Sequence, residues 1–110
     1  MSARWTKVAR ASDLGGGDLL KVDAGGRPLL LARVEDSYFA LDDTCTHEEA
    51  SLSEGFIEGR TVECPLHGAT FSLSEGTALS LPATTDIRTY PVLVEAGDVL
   101  VELEPTNGGN

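Results

Sequence analysis

Hydrophobic residues in this chain come in short runs broken by Gly, Asp and Ser, and no stretch keeps apolar residues at helical spacing. Residues 5–8, 19–22, 29–34 and 38–41 read as strands. The second and third flank Asp23-Ala24-Gly25-Gly26, a hairpin signal, and Glu35-Asp36-Ser37 turns the chain into the fourth. Asp13-Leu14-Gly15-Gly16-Gly17-Asp18 is too rich in Gly for regular structure, and without a following Lys-Ser or Lys-Thr it is a poor phosphate loop. Further on, 56–57 and 61–62 flank Glu58-Gly59-Arg60, a second hairpin. Residues 70–73, a Ser74-Glu75-Gly76 turn and 77–79 follow, then a Leu81-Pro82-Ala83 loop. The chain closes with strands at 87–90, 92–95 and 99–103, an Ala96-Gly97-Asp98 turn before the last of them, and a polar, frayed tail at 104–110. About ten short strands at this turn spacing predict an all-β antiparallel sandwich or small barrel. There is no internal repeat and no linker, so 1–110 reads as a single domain.

Charge narrows the function. The 110 residues carry 18 Asp plus Glu against 8 Lys plus Arg, net -10. A nucleic-acid binder needs a basic footprint, and an anionic membrane surface would repel this chain. Neither partner is expected. The acidity serves solubility, or attraction to a basic protein partner. Met1-Ser2-Ala3-Arg4-Trp5 lacks the apolar core of an export signal, so the expected compartment is the cytoplasm, where thiols stay reduced.

The chain has two cysteines and two histidines, all in two short pieces: Cys45-Thr46-His47, sixteen residues, then Cys64-Pro65-Leu66-His67. The hairpin between them brings its own ends together, so the pieces become adjacent loop tips. Three readings of the four donors compete. A Cys45–Cys64 disulfide is disfavoured in a reducing compartment and leaves the histidine spacing unexplained. Tetrahedral zinc usually takes like-paired knuckles, whereas here each knuckle mixes Cys with His. A 2Fe-2S cluster can take two Cys on one iron and two His on the other.

Cys45-Thr46-His47 with sixteen residues to Cys64-Pro65-Leu66-His67-Gly68 resembles the Rieske signature. From Ser51-Leu52-Ser53-Glu54-Gly55 through Tyr90-Pro91-Val92 the chain is also similar to the soluble Rieske-type ferredoxins of bacterial aromatic-ring dioxygenase systems. The resemblance implies a Rieske fold: an antiparallel β-sandwich base and a cluster-binding subdomain of two loops, about 43–83, placed at one end. It implies one 2Fe-2S cluster, with Cys45 and Cys64 on the inner iron and His47 and His67 on the outer iron. Leu66 and the Pro82 loop would shield the cluster. Gly68 would let backbone amides approach it, although a plain turn role is equally consistent.

High-potential members of the family carry two further cysteines, where this chain has Ala50 and Leu66. They also carry a Ser and a Tyr that donate to cluster sulfurs, where this chain has Ala69 and Phe71. Fewer donors stabilise the added electron less, so a low potential is expected. Asp42, Asp43, Glu48, Glu49, Glu54, Glu58 and Glu63, opposed by Arg60, push the same way, and they read either as a docking face for a basic partner or as an ordinary solvated hairpin rim, with Glu48 and Glu49 next to the first motif.

The expected function is a soluble, monomeric single-electron carrier that performs no substrate chemistry. It would run from an NAD(P)H-dependent flavoprotein reductase to a terminal Rieske non-haem iron dioxygenase in aromatic hydrocarbon catabolism. The rival readings are the small Rieske subunit of an assimilatory nitrite reductase and a zinc-binding interaction module.

Overall fold

A computed structural model of the chain describes residues 5–44, 51–65, 68–80 and 86–103. Ten strands run β1 Trp5–Arg10, β2 Leu19–Ala24, β3 Arg27–Val34, β4 Ser37–Asp42, β5 Phe56–Glu58, β6 Thr61–Glu63, β7 Thr70–Ser72, β8 Thr89–Tyr90, β9 Val92–Glu95 and β10 Asp98–Glu102. They form three antiparallel sheets, ordered β1-β10-β9, β2-β3-β4-β8 and β5-β6-β7. Two 3-10 turns, Ala11–Asp13 and Leu52–Glu54, are short elements that the hydrophobic pattern did not predict.

The middle sheet has two buried faces. Leu29, Leu31, Ala40 and Tyr90 point toward Val99 and Val101 of the β1-β10-β9 sheet. Leu30, Ala32 and Leu41 point the opposite way, toward Val62, Phe71 and Leu52. This explains why Leu29-Leu30-Leu31-Ala32 does not alternate with polar residues: a strand covered on both sides buries every side chain. The β5-β6-β7 unit packs against one face of the middle sheet and shares a core with it. Its apolar positions are too few to make a core alone, so they need Leu30, Ala32 and Leu41.

The expected hairpins form, with tighter turns than the sequence implied. Gly25-Gly26 joins β2 to β3 with both residues at positive φ (62° and 86°), and Ala96-Gly97 joins β9 to β10 likewise (55° and 82°). Such turns match the twist of the paired strands. Residues 77–79 do not form a strand. They run back along β7 through one bridge, Phe71 to Ala78, with the Ser72 amide donating to the Thr77 carbonyl (2.9 Å) and the Leu79 amide to the Thr70 carbonyl (2.8 Å). The expected strand 87–90 shortens to Thr89–Tyr90, because the Ile87 amide turns aside to the Gly76 carbonyl (2.7 Å).

Tyr90 locks β8 to its neighbours. Its hydroxyl donates to Asp42 Oδ1 (2.6 Å) and accepts from Arg27 Nη1 (3.1 Å). Burial, then the hydrogen bond to Asp42, raise its pKa above the ordinary value of 10.0, while Arg27 pulls it down. A raised phenol pKa means the folded state prefers the neutral form. That contribution is intact below pH 10.0 and is lost as pH rises through the folded value. Tyr90→Phe is therefore expected to cost about 1–3 kcal/mol at pH 7, by leaving Asp42 without its donor. It should also flatten the loss of stability above about pH 10, which denaturant melts at pH 7 and pH 11 would reveal.

Candidate metal centre

The loops that carry the ligand motifs leave the fold at narrow bases, and those bases are well defined. Cys45, His47, Glu48, Glu49, Ala50, Leu66, His67 and Pro82, with the tail 104–110, lie outside the described residues. The base of the first loop is a bridge between Thr44 and Ser51, backed by the Leu52 amide donating to the Asp43 carbonyl (2.7 Å). At the base of the second, the Cys64 amide donates to the Ala69 carbonyl (2.7 Å). The third loop, 81–85, springs from Ser80 and returns at Asp86, whose Oδ1 accepts the Ala78 amide (2.9 Å).

These three bases are joined to one another. Gly55, just after the first base, packs so close to the Glu63 carbonyl that a Cβ there would overlap it. Thr70, just after the second base, donates its amide to Ser80 Oγ (3.1 Å) and shares a hydroxyl hydrogen bond with it (2.8 Å). Leu52, Cys64, Ala69 and Phe71 meet in one buried cluster below. The hairpin β5–β6 pairs Phe56 with Glu63 in register, so its ends meet as the sequence predicts.

Cys64 is 1% exposed, and it ends the extended run that leaves β6. The chain supplies two thiols and two imidazoles in mixed pairs, on loops whose bases converge on the core that holds Cys64. That donor set suits an asymmetric two-iron cluster. Gly68 has φ +74°, and a Cβ there would lie 3.3 Å from the Glu63 carboxylate, so the second loop uses a conformation that glycine adopts most readily.

The acidic rim needs correcting. Asp43 is 1% exposed and takes the Ser53 amide on Oδ1 (2.9 Å), so it faces the interior and is no part of a docking face. Asp42 is engaged by Tyr90. Among the described members of that rim, Glu54 and Glu58 remain exposed, and Glu63 lies half-buried beside Gly68. Asp43 and Gly55 are the two residues at this centre whose importance sequence reasoning missed. The glycine had a local cue in Glu54-Gly55, where the first 3-10 turn of the loop region ends. The aspartate had none.

Comparison with known proteins agrees with this arrangement. Residues 4–91 match the family described as the Rieske [2Fe-2S] domain. The ferredoxin component of the naphthalene 1,2-dioxygenase system of Pseudomonas putida is 42% identical over 103 residues, covering 94% of this chain and 99% of that protein. The solved ferredoxin of carbazole 1,9a-dioxygenase from Nocardioides aromaticivorans IC177 is 31% identical with a TM-score of 0.87, covering 90% of this chain and 97% of that one. A chain of the solved complex of reduced oxygenase and oxidized ferredoxin in carbazole 1,9a-dioxygenase is 41% identical with a TM-score of 0.85, covering 92% and 94%. This chain belongs to the Rieske [2Fe-2S] domain family, with a 2Fe-2S cluster as its cofactor and electron transfer as its role.

Proposed function

We propose that this chain is the low-potential ferredoxin of an aromatic-ring dioxygenase system. It would take single electrons from an NAD(P)H-dependent flavoprotein reductase and pass them to a terminal Rieske non-haem iron oxygenase. The observation that carries this reading is the likeness, over nearly the whole length of both chains, to ferredoxin components of such systems. The complex of oxygenase and ferredoxin described for the carbazole enzyme supports an oxygenase as the acceptor.

Cys45 and Cys64 would hold one iron as thiolates, and His47 and His67 the other as imidazoles. When bound, the cluster supplies a one-electron couple. The remaining work belongs to the protein. Cys64 enters the site from a dry core, which suits a thiolate shielded from water. Leu66, Gly68 and Pro82 would cover the sulfur side, and Glu48 and Glu49, with the exposed Glu54 and Glu58, would attract a basic partner surface. A single domain spanning 1–110, a monomer in the cytoplasm, fits a carrier that must leave one partner for the next. No helix among the described residues is long and apolar enough to cross a membrane.

The low potential has a structural argument. Ala69 and Phe71 are fully buried and have no hydroxyl. The hydroxyl between them, on Thr70, is engaged with Ser80. The Glu63 carboxylate lies beside Gly68 on the second loop. The lack of hydroxyls at 69 and 71 and a nearby negative charge both oppose reduction. A redox titration followed by EPR should give a reduced-state Rieske signal and a midpoint near the lower end of the range of about -150 to +300 mV. A midpoint above roughly +100 mV on that scale would overturn the low-potential assignment, and a colourless protein with stoichiometric zinc would overturn the electron-carrier reading.

A further inference from the structure

Asp43 is the one polar residue among the described residues that is fully buried. A buried carboxylate is costly unless its oxygens are satisfied. Two of its hydrogen bonds span the neck of the first ligand loop, and a third anchors it to β3. The Asp43 amide donates to the Pro28 carbonyl on β3 (3.3 Å), its carbonyl accepts the Leu52 amide (2.7 Å), and its Oδ1 accepts the Ser53 amide (2.9 Å). Just beyond, Thr44 bridges to Ser51. One residue therefore ties the departing end of the loop, after β4, to its returning end at Leu52–Glu54.

The returning end needs such a partner. A 3-10 turn begins with amides that have no acceptor inside the turn. Ser51, at the capping position, makes no side-chain cap. Asp43 supplies both acceptors from across the neck and so seats Leu52, fully buried, in the cluster that contains Cys64. The charge contributes less than the acceptor. Lys21 Nζ lies 3.9 Å from the buried Asp43 Oδ2, a long contact, and the lysine side chain is 56% exposed, so solvent screens the pair.

We propose that Asp43 is the positioning residue of the first ligand loop, its side-chain oxygen and backbone carbonyl holding closed the neck between 43–44 and 51–53 from which the loop bearing Cys45 and His47 departs. The proposal rests on the cluster reading given above for its functional meaning, while the closed neck stands independently of it.

The test compares Asp43→Asn, which keeps the acceptor and removes the charge, with Asp43→Ala, which removes both, and with Lys21→Met, which removes the cation. Each full-length variant is purified as the wild type is. Two quantities are read: amide hydrogen exchange in peptides covering 51–55, and the rate at which a ferrous chelator bleaches the cluster. Asp43→Ala should speed both, the bleaching by about 10–100-fold as for other loss of support around metal ligands. Asp43→Asn and Lys21→Met should remain within about threefold of wild type, the scale of a solvent-screened ion pair.

Wild-type rates in Asp43→Ala would overturn the proposal. So would an Asp43→Asn or Lys21→Met protein as impaired as that variant, since either result would transfer the role to the charge. If Asp43→Ala does not fold, the other two variants still decide between acceptor and charge. A wild-type protein without a cluster would count against the ligand assignment alone, and the exchange data would still judge the neck.

Discussion

Gly55→Ala is expected to destabilise the protein by about 3 kcal/mol, the upper end of what overpacking costs. For a domain of this size that lowers Tm by roughly 12–24 °C. The reason is steric and local. Gly55 has φ -90°, so alanine pays no left-handed penalty there. The added Cβ would instead overlap the Glu63 carbonyl oxygen and press within 3.2 Å of the Leu52 carbonyl. Both neighbours are backbone, and neither can turn away as a side chain would. The backbone must move, and the part that moves is the contact between the bases of the first and second ligand loops. Cluster content should therefore fall along with Tm. Gly59→Ala is the comparison variant. Gly59 has φ +61°, but a Cβ added there would meet no atom within 4 Å, so only conformational strain of about 1 kcal/mol is expected. Thermal melts and iron content per chain check both, and a Gly55→Ala protein as stable as Gly59→Ala would remove the proposed contact.

Cys64→Ser is expected to abolish the visible absorbance and the reduced-state EPR signal while leaving the β-sheets intact. Serine is nearly isosteric, so packing against Leu52, Val62, Ala69 and Phe71 changes little. A buried hydroxyl costs about 1–3 kcal/mol if poorly satisfied, less than the fold's usual margin. The chemical loss is larger, because a thiolate is replaced by a much harder and more basic oxygen donor, ill-suited to an iron–sulfur site. Far-ultraviolet circular dichroism close to wild type, together with a colourless protein, is the expected pair of results. A retained Rieske signal would exclude Cys64 as a ligand. His67→Cys separates ligand loss from charge gain: it adds a thiolate, so any cluster that survives should have a lower midpoint.

The strands were legible because their signals are local. Gly25-Gly26, Gly59-Arg60 and Ala96-Gly97 are turn residues between apolar runs, and the paired strands formed around them. The four donors were legible because their types and spacing need no tertiary context. Burial of Asp43 was not. Its neighbours Asp42 and Thr44 are polar, and counting acids along the chain placed it on a surface. Only the return of Leu52 and Ser53 to the same point turns it inward. Likewise, 77–79 has strand composition, but Gly76 admits the Ile87 amide to its carbonyl and diverts the chain after a single bridge. The double burial of the middle sheet was written in Leu29-Leu30-Leu31-Ala32, yet that run alone does not say which unit covers which face.

That shared sheet has a thermodynamic consequence. Leu30 and Leu31 are adjacent on one strand, yet they belong to opposite cores. β3 cannot melt out of one core and remain in the other. The two layers should therefore unfold together as a single cooperative unit, and a cofactor held on one side adds its binding free energy to the stability of the whole chain. Electron carriers meet their partners repeatedly and in either oxidation state. In this molecule, any difference in how tightly the two states are held becomes a difference in the stability of the entire fold.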